Sequence, residues 1–286
     1  MLISLLKRKH RFPSIIGCSE KMEDEMNKGF LFAIASAFCV MLLTACSDGY
    51  ESTGIPIEPP LDLSLVNFVE PCKTDSTDTC EYGTLTDSRD GQTYKTVKIG
   101  DQWWMAENLN LETPNSSCWG NNPEKCEVYG RFYTWSAVMD SAAVWSGAGL
   151  NCGYGHVCSP VYPVYGLCPA GWRVPTYNEW RTLFGAVGGV QNAIYLYHTD
   201  NAGKKLMSSG NWLYFKGTDS YGFNVIPTGY NNSEAYLNEY RATFFWTSSE
   251  ADLYDAHVVE LRELIDDVKI VIWKKDMGLS VRCIKD

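Results

Sequence analysis

The 286-residue chain carries 24 Lys and Arg against 34 Asp and Glu, and residues 46–286 alone carry 18 against 30, a net charge near −12. An acidic balance of that size argues against nucleic acid or other phosphate-rich surfaces as partners. With 10 Trp, 17 Tyr, 24 Gly and 11 Cys, the composition is that of a loop-rich exported domain rather than a cytosolic enzyme.

Phe30 to Leu43 (FLFAIASAFCVMLL) is a 14-residue apolar run without charge, preceded by Lys28. It is too short to span a bilayer comfortably and fits the apolar core of a signal peptide. Leu43-Thr44-Ala45-Cys46 is similar to a lipobox, in which the cut falls before the cysteine and that cysteine is lipidated. Residues 1–45 are therefore expected to be a signal segment, with Met26 a better start than Met1 because Glu20, Glu23, Asp24 and Glu25 do not suit an export signal. Cys46 is the expected lipidation site and membrane the expected partner through that anchor. Ser47 in place of Asp favours the outer membrane, on its periplasmic or outward face.

Residues 46–83 are rich in Ser, Pro, Asp and Thr without a helical or strand period, so they are expected to be a flexible spacer. The folded domain is expected over 84–286. Asp90-Gly91 signals a hairpin turn, followed by strands at Gln92–Ile99 and Gln102–Met105. Trp135, Val138 and Met139 fall at i, i+3, i+4, predicting a short helix. Thr176 and Glu179 form a capping box behind Pro175; Trp180, Leu183, Phe184 and Val187 then mark one helical face, which Gly188-Gly189 ends. A second helix is predicted over Ala202–Ser208. Short strands follow at Phe223–Ile226, Phe244–Thr247, Ala256–Leu261, Val268–Trp273 and Leu279–Ile284. Helices in the middle and strands at both ends predict an α+β domain whose ends meet in one sheet.

Setting aside Cys18, Cys39 and Cys46 leaves eight cysteines, which reads as a disulfide framework in an exported chain, although eight formally allow 105 pairings. Cys72/Cys80, Cys118/Cys126 and Cys152/Cys158 are each close enough to close a small loop. That leaves Cys168 with Cys283.

Seven stretches resemble one known family in order across the domain: Asp87–Asn110 (DSRDGQTYKTVKIGDQWWMAENLN), Gly130–Asp140 (GRFYTWSAVMD), Cys168–Trp180 (CPAGWRVPTYNEW), Ala202–Ser208 (AGKKLMS), Gly222–Gly229 (GFNVIPTG), Trp246–Glu250 (WTSSE) and Gly278–Asp286 (GLSVRCIKD). The family is the Fibrobacter succinogenes major paralogous domain. The resemblance implies a fold like the C-type lectin and formylglycine-generating enzyme domains: short helices, a mostly antiparallel sheet and a ligand-binding loop face. It also places Trp103, Trp104, Trp172, Trp180 and Trp246 in the core.

Catalytic constellations are not apparent. Arg173-Val174-Pro175-Thr176-x-x-Glu179-Trp180 is similar to a formylglycine-generating enzyme motif, yet the 30 residues before Cys283 lack the cysteines that chemistry needs. His156, His198 and His257 form no HExxH. Cys152, His156 and Cys158 could form a zinc corner with Cys168, but oxidised cysteines fit export better. The acidic pairs Glu260/Glu263 and Asp266/Asp267 read as solvated turns. Glu112-Thr113-Pro114-Asn115 only superficially matches a calcium-lectin loop. No catalytic residue, metal or cofactor is therefore expected. Tyr214 to Tyr240 is the expected binding face, with Tyr230, Asn231, Asn232, Tyr236, Asn238 and Tyr240 as ligand residues. The expected function is a non-catalytic surface binding or adhesion module for polysaccharide or glycan. The alternatives are an envelope component that binds protein and a hydrolase whose site the sequence conceals.

Overall fold

A computed structural model describes residues 60–62, 66–189 and 202–286. Cys46, His198 and the spacer up to residue 59 lie outside the described residues.

The first sheet begins with β1 (Tyr82–Thr86) and β2 (Thr93–Ile99), antiparallel partners joined through the Asp90-Gly91 turn, where Gly91 takes a φ of 78°. β3 (Gln102–Met105) pairs with β2, and Val97 sits directly across from Trp104. The two-residue strands β4 (Ser116–Ser117) and β5 (Phe132–Tyr133) form a separate ribbon. Between them run a short 3-10 turn (Trp119–Asn121) and helix α1 (Pro123–Tyr129). Helix α2 (Trp135–Val138) falls where the i, i+3, i+4 pattern places it.

After β6 (Trp172–Arg173), helix α3 (Tyr177–Gly188) starts at the anticipated capping box. Thr176 Oγ1 accepts from the Glu179 N–H at 3.1 Å, and Glu179 Oε2 accepts from the Thr176 N–H at 2.8 Å. Trp180, Leu183, Phe184 and Val187 are all fully buried. Helix α4 (Ala202–Leu206) is followed by the ribbon β7 (Tyr230–Asn231) and β8 (Tyr236–Leu237). A three-stranded antiparallel sheet comes next, from β9 (Ala242–Glu250), β10 (Asp255–Arg262) and β11 (Ile265–Lys274), with β10 central. β12 (Ile284–Lys285) returns to the first sheet between β3 and β6, giving the order β1-β2-β3-β12-β6. The domain is thus α+β with mostly antiparallel sheets, and its two ends share a sheet as expected. Among the described residues no helix is long and apolar enough to cross a membrane.

Both sheets are covered on both faces by apolar side chains. Leu85, Tyr94 and Met105 enter one core, whereas Val97, Ile99 and Trp104 enter the other. In the second sheet Phe244, Trp246 and Val258 face the first core, and Phe245, Val259 and Leu261 the second. β9 consequently has eight consecutive buried residues, a continuous pattern that reports burial on both sides rather than a solvated face. Trp180 knits the second core, stacked on Phe245 at 5.5 Å and tilted on Trp104 at 4.8 Å. Of the five anticipated core tryptophans, Trp103 alone is half-buried.

All four disulfides expected from spacing are present: Cys72–Cys80, Cys118–Cys126, Cys152–Cys158 and Cys168–Cys283. The last closes a separation of 115 residues inside the first core.

Three boundaries differ from expectation. Thr84 falls inside β1, and the chain before it is hydrogen-bonded to the domain: Val69 N–H donates to the Ala186 carbonyl at 2.8 Å and Cys72 N–H to that of Ser220 at 3.0 Å. Residues 69–83 of the expected spacer are therefore built into the fold, with the Tyr221 hydroxyl also donating to the Val69 carbonyl at 2.7 Å. Phe223–Ile226 is not a strand; Asn224 adopts a φ of 55° and only a Val225–Met207 bridge forms. Leu279–Ile284 is not one continuous strand either. It crosses between structures, bridging Leu279 to Tyr133 and Ser280 to Phe245 before β12 forms.

Candidate functional site

The side chains that looked chemical in the sequence have structural partners. Arg173 donates from Nε to Glu179 Oε1 at 3.1 Å and from Nη1 to the Lys285 carbonyl at 2.7 Å and Asp286 Oδ1 at 3.0 Å. The Arg173-to-Trp180 motif is accounted for as helix cap, terminal clamp and core. Cys152, Cys158 and Cys168 are all oxidised, so the zinc corner has no thiolate to offer. His257 packs on Tyr177 with ring centroids 4.9 Å apart, and burial holds its pKa below the ordinary 6.5. Glu260 pairs with Arg262, while Glu263 is buried and pairs with Arg241 at 3.5 Å. These two are not solvated turn residues: their carboxylates are buried and countered by arginines. Glu112 pairs with Arg131 at 2.9 Å.

The six expected ligand residues divide between framework and surface. Tyr230 is half-buried, edge-on to Phe244 at 5.3 Å and to Trp273 at 4.8 Å. Asn231 Nδ2 donates to Ser117 Oγ at 3.1 Å. Asn232 Oδ1 accepts from the Glu234 and Ala235 N–H groups at 3.1 and 2.8 Å, closing the β7–β8 turn. The Tyr236 hydroxyl donates to Asn121 Oδ1 at 2.9 Å while its ring tilts on Trp119 at 5.3 Å. Asn238, at a φ of 62°, accepts through its carbonyl from the Arg241 and Ala242 N–H groups. Five of the six therefore act as ties: Asn231 and Tyr236 to the Ser117–Asn121 region, Asn232 within the β7–β8 turn, Tyr230 onto β9 and β11, and Asn238 in the turn that leads into β9. Tyr240 differs, being 41% exposed.

Tyr240 belongs to an exposed aromatic face with Leu213, Tyr214 and Phe215. Tyr214 and Phe215 are 64% and 56% exposed. The backbone under them is fixed. Leu213 N–H donates to the Tyr240 carbonyl at 2.8 Å, Tyr214 N–H to Glu263 Oε2 at 3.1 Å, and Glu263 N–H to the Arg241 carbonyl at 2.9 Å. Trp212 anchors the segment from below, buried with Nε1 on Ser208 Oγ at 3.1 Å. At the far end, a Cβ on Gly217 would overlap the Met207 carbonyl, so only glycine lets the chain pass there. The Arg241 guanidinium lies 5.4 Å from the Tyr214 ring centroid and Lys125 Nζ 5.8 Å from that of Tyr240. The Glu239 carboxylate draws the Lys125 ammonium pKa upward, and burial with the Glu239 hydrogen bond does the same for Tyr129. Leu213, Arg241 and Lys125 lie outside the expected Tyr214 to Tyr240 face, and Phe215, inside it, was not singled out. The available signal was Trp212-Leu213-Tyr214-Phe215, four large apolar residues directly after a Gly-Asn turn, too many to bury in a loop.

Taken together, fold and face define a four-disulfide α+β domain with rigid aromatic side chains presented to solvent. The sequence model of the Fibrobacter succinogenes major domain matches residues 97–285, and the chain belongs to that family. No curated protein matches the chain, and no solved structure does.

Proposed function

We propose that the protein is a lipid-anchored cell-envelope binding module, non-catalytic and C-type lectin-like, that holds polysaccharide or glycan on the Tyr214, Phe215 and Tyr240 face. The observation that carries this reading is the combination of exposure and rigidity. Flat aromatic rings standing on a hydrogen-bonded backbone offer stacking surface to sugar rings with little ordering cost on binding. The charged rim of Arg241, Glu239 and Lys125 supplies donors and acceptors for hydroxyl groups. The apolar run ahead of Cys46 supports export and lipid attachment, and several acyl chains on one cysteine would hold the protein stably to the outer membrane.

Retention of the full-length chain in detergent on insoluble polysaccharides, with a glycan panel in parallel, tests the binding half. At least one ligand should retain it, and Tyr214→Ala with Phe215→Ala should weaken retention about tenfold or more while leaving the melting temperature unchanged. A silent panel refutes the carbohydrate reading. Mass spectrometry of the cell-made protein tests the anchor: acyl groups on Cys46 are expected, and their absence, or processing unchanged in Cys46→Ser, refutes it.

A second reading, an envelope protein partner, draws on exposed Val144, Trp145, Val157 and Val161 along the 140–161 loop. A stoichiometric crosslinked envelope protein together with a silent glycan panel would favour it.

A further inference from the structure

A cleft of about 310 Å³ opens between β2, the turn after β3, helix α1 and residues 224–226. It shares no lining residue with the aromatic face. Its floor is Arg282, 1% exposed. The guanidinium donates from Nε to Asn108 Oδ1 at 2.9 Å, from Nη1 to the Met105 carbonyl at 3.3 Å and to that of Phe223, and from Nη2 to the Asn224 carbonyl at 2.9 Å. All four acceptors are neutral; Asp219 and Glu107 act on the cation only through space. Burial lowers the Arg282 pKa to about 9, so it stays charged at neutral pH.

Along the wall, Asn110 Oδ1 is buried and has no hydrogen-bond partner among the described residues. Buried amide oxygens are nearly always paired, and leaving one empty is unfavourable. Its backbone N–H donates to Tyr94 Oη at 3.1 Å and its backbone carbonyl accepts from Gln92 Nε2 at 3.1 Å, so the main chain there is held while the side-chain oxygen is unused. Exposed Glu107 and Glu127 flank the opening, and Val128 and Ile226 give it an apolar side.

These groups select by charge. Two carboxylates at the mouth oppose an anion, and a buried guanidinium behind them opposes a cation. What remains favourable is a neutral molecule rich in hydroxyl donors, with a C–H face for Val128 and Ile226. The volume is at the lower end for small-molecule pockets, room for about one ring. We propose that this cleft is a second binding site, taking a single neutral sugar residue without a metal, with Asn110 Oδ1 accepting from a ring hydroxyl.

Saturation-transfer NMR on the full-length chain in detergent would test it, with the methyl glycosides of glucose, galactose, mannose and xylose as probes and glucuronate and inorganic phosphate as charged comparators. At least one neutral glycoside should bind, and Asn110→Ala should weaken it about tenfold. Should that variant melt early, Val128→Ala, which trims the apolar side on the exposed face of α1, should weaken the same glycoside in a stably folded protein. Tyr214→Ala with Phe215→Ala should leave it unaffected, which separates this site from the aromatic face. Absence of transfer from every glycoside, transfer untouched by both cleft variants, or binding of glucuronate or phosphate instead would each overturn the proposal.

Discussion

Lys275 and Glu250 form an ion pair beneath the Cys152–Cys158 loop, with the lysine side chain wholly shielded from solvent. Lys275 Nζ also donates to the carbonyls of His156 at 3.2 Å, Asp252 at 2.7 Å and Leu253 at 3.3 Å, and lies 4.8 Å from the Trp135 ring centroid. Glu250 in turn accepts from the Cys158 N–H at 2.9 and 3.0 Å through its two oxygens. One buried pair thus ties the end of β9, the turn after β11 and the disulfide loop together.

Breaking that pair from one side leaves a buried charge without its partner. Lys275→Met should destabilise the domain by about 3–5 kcal/mol. Lys275→Met combined with Glu250→Gln should recover part of the loss, because the second change removes the orphaned carboxylate. Denaturant unfolding of the two variants measures both; equal stabilities would show that the pair has no mutual dependence.

The disulfides should rank by the loops they close. Cys168→Ser with Cys283→Ser should cost about 4–5 kcal/mol, and Cys72→Ser with Cys80→Ser, at a separation of 8, about 2–3 kcal/mol. Melting temperatures of the two variants check the order, and a long bridge worth no more than the short one would refute it.

At the start of α3, Thr176→Ala should cost about 1 kcal/mol by removing one half of the reciprocal cap. Glu179→Ala should cost more, since the same carboxylate also accepts from Arg173. Thermal unfolding of the pair distinguishes them; a smaller effect for Glu179→Ala would mean that its bond to Arg173 adds nothing.

His257 should give the domain a pH dependence of definite sign. Burial holds its folded pKa below the ordinary 6.5, so the folded state binds the proton less readily than the unfolded chain. Its contribution is complete above 6.5 and is lost as pH falls from there through the folded pKa. His257→Phe should therefore lose less melting temperature than the wild type between about pH 7.5 and about pH 5.5. Parallel losses in the two proteins would show that carboxylates alone set the slope.

Local chemistry made much of the fold legible in advance. The Thr176/Glu179 box and the Trp180, Leu183, Phe184, Val187 stripe are written within single turns, so α3 emerged with its boundaries and buried face. Helix α1 was missed although its start is equally local: Asn122 Oδ1 accepts from the Glu124 N–H at 3.0 Å ahead of Pro123 at the first helical position. The Arg282 cleft was not legible. Leu279, Val281 and Cys283 alternate with Ser280, Arg282 and Ile284 in the sequence, yet the segment passes between two cores and all six are buried, so alternation says nothing of which side chain lines a cleft.

The sequence by itself determined α3 with its cap, the first hairpin, the three short-range disulfides and the family, because periodicity, caps and close spacing are properties of neighbouring residues. Only the tertiary structure decided which polar and aromatic side chains stand exposed to solvent. Tyr230, Asn231 and Tyr236 look like Tyr240 in a string of residues, yet their partners lie on chain segments as far away as Ser117, Asn121 and Trp273. Whether a side chain is a tie or a surface depends on what the fold brings against it, and that information is non-local.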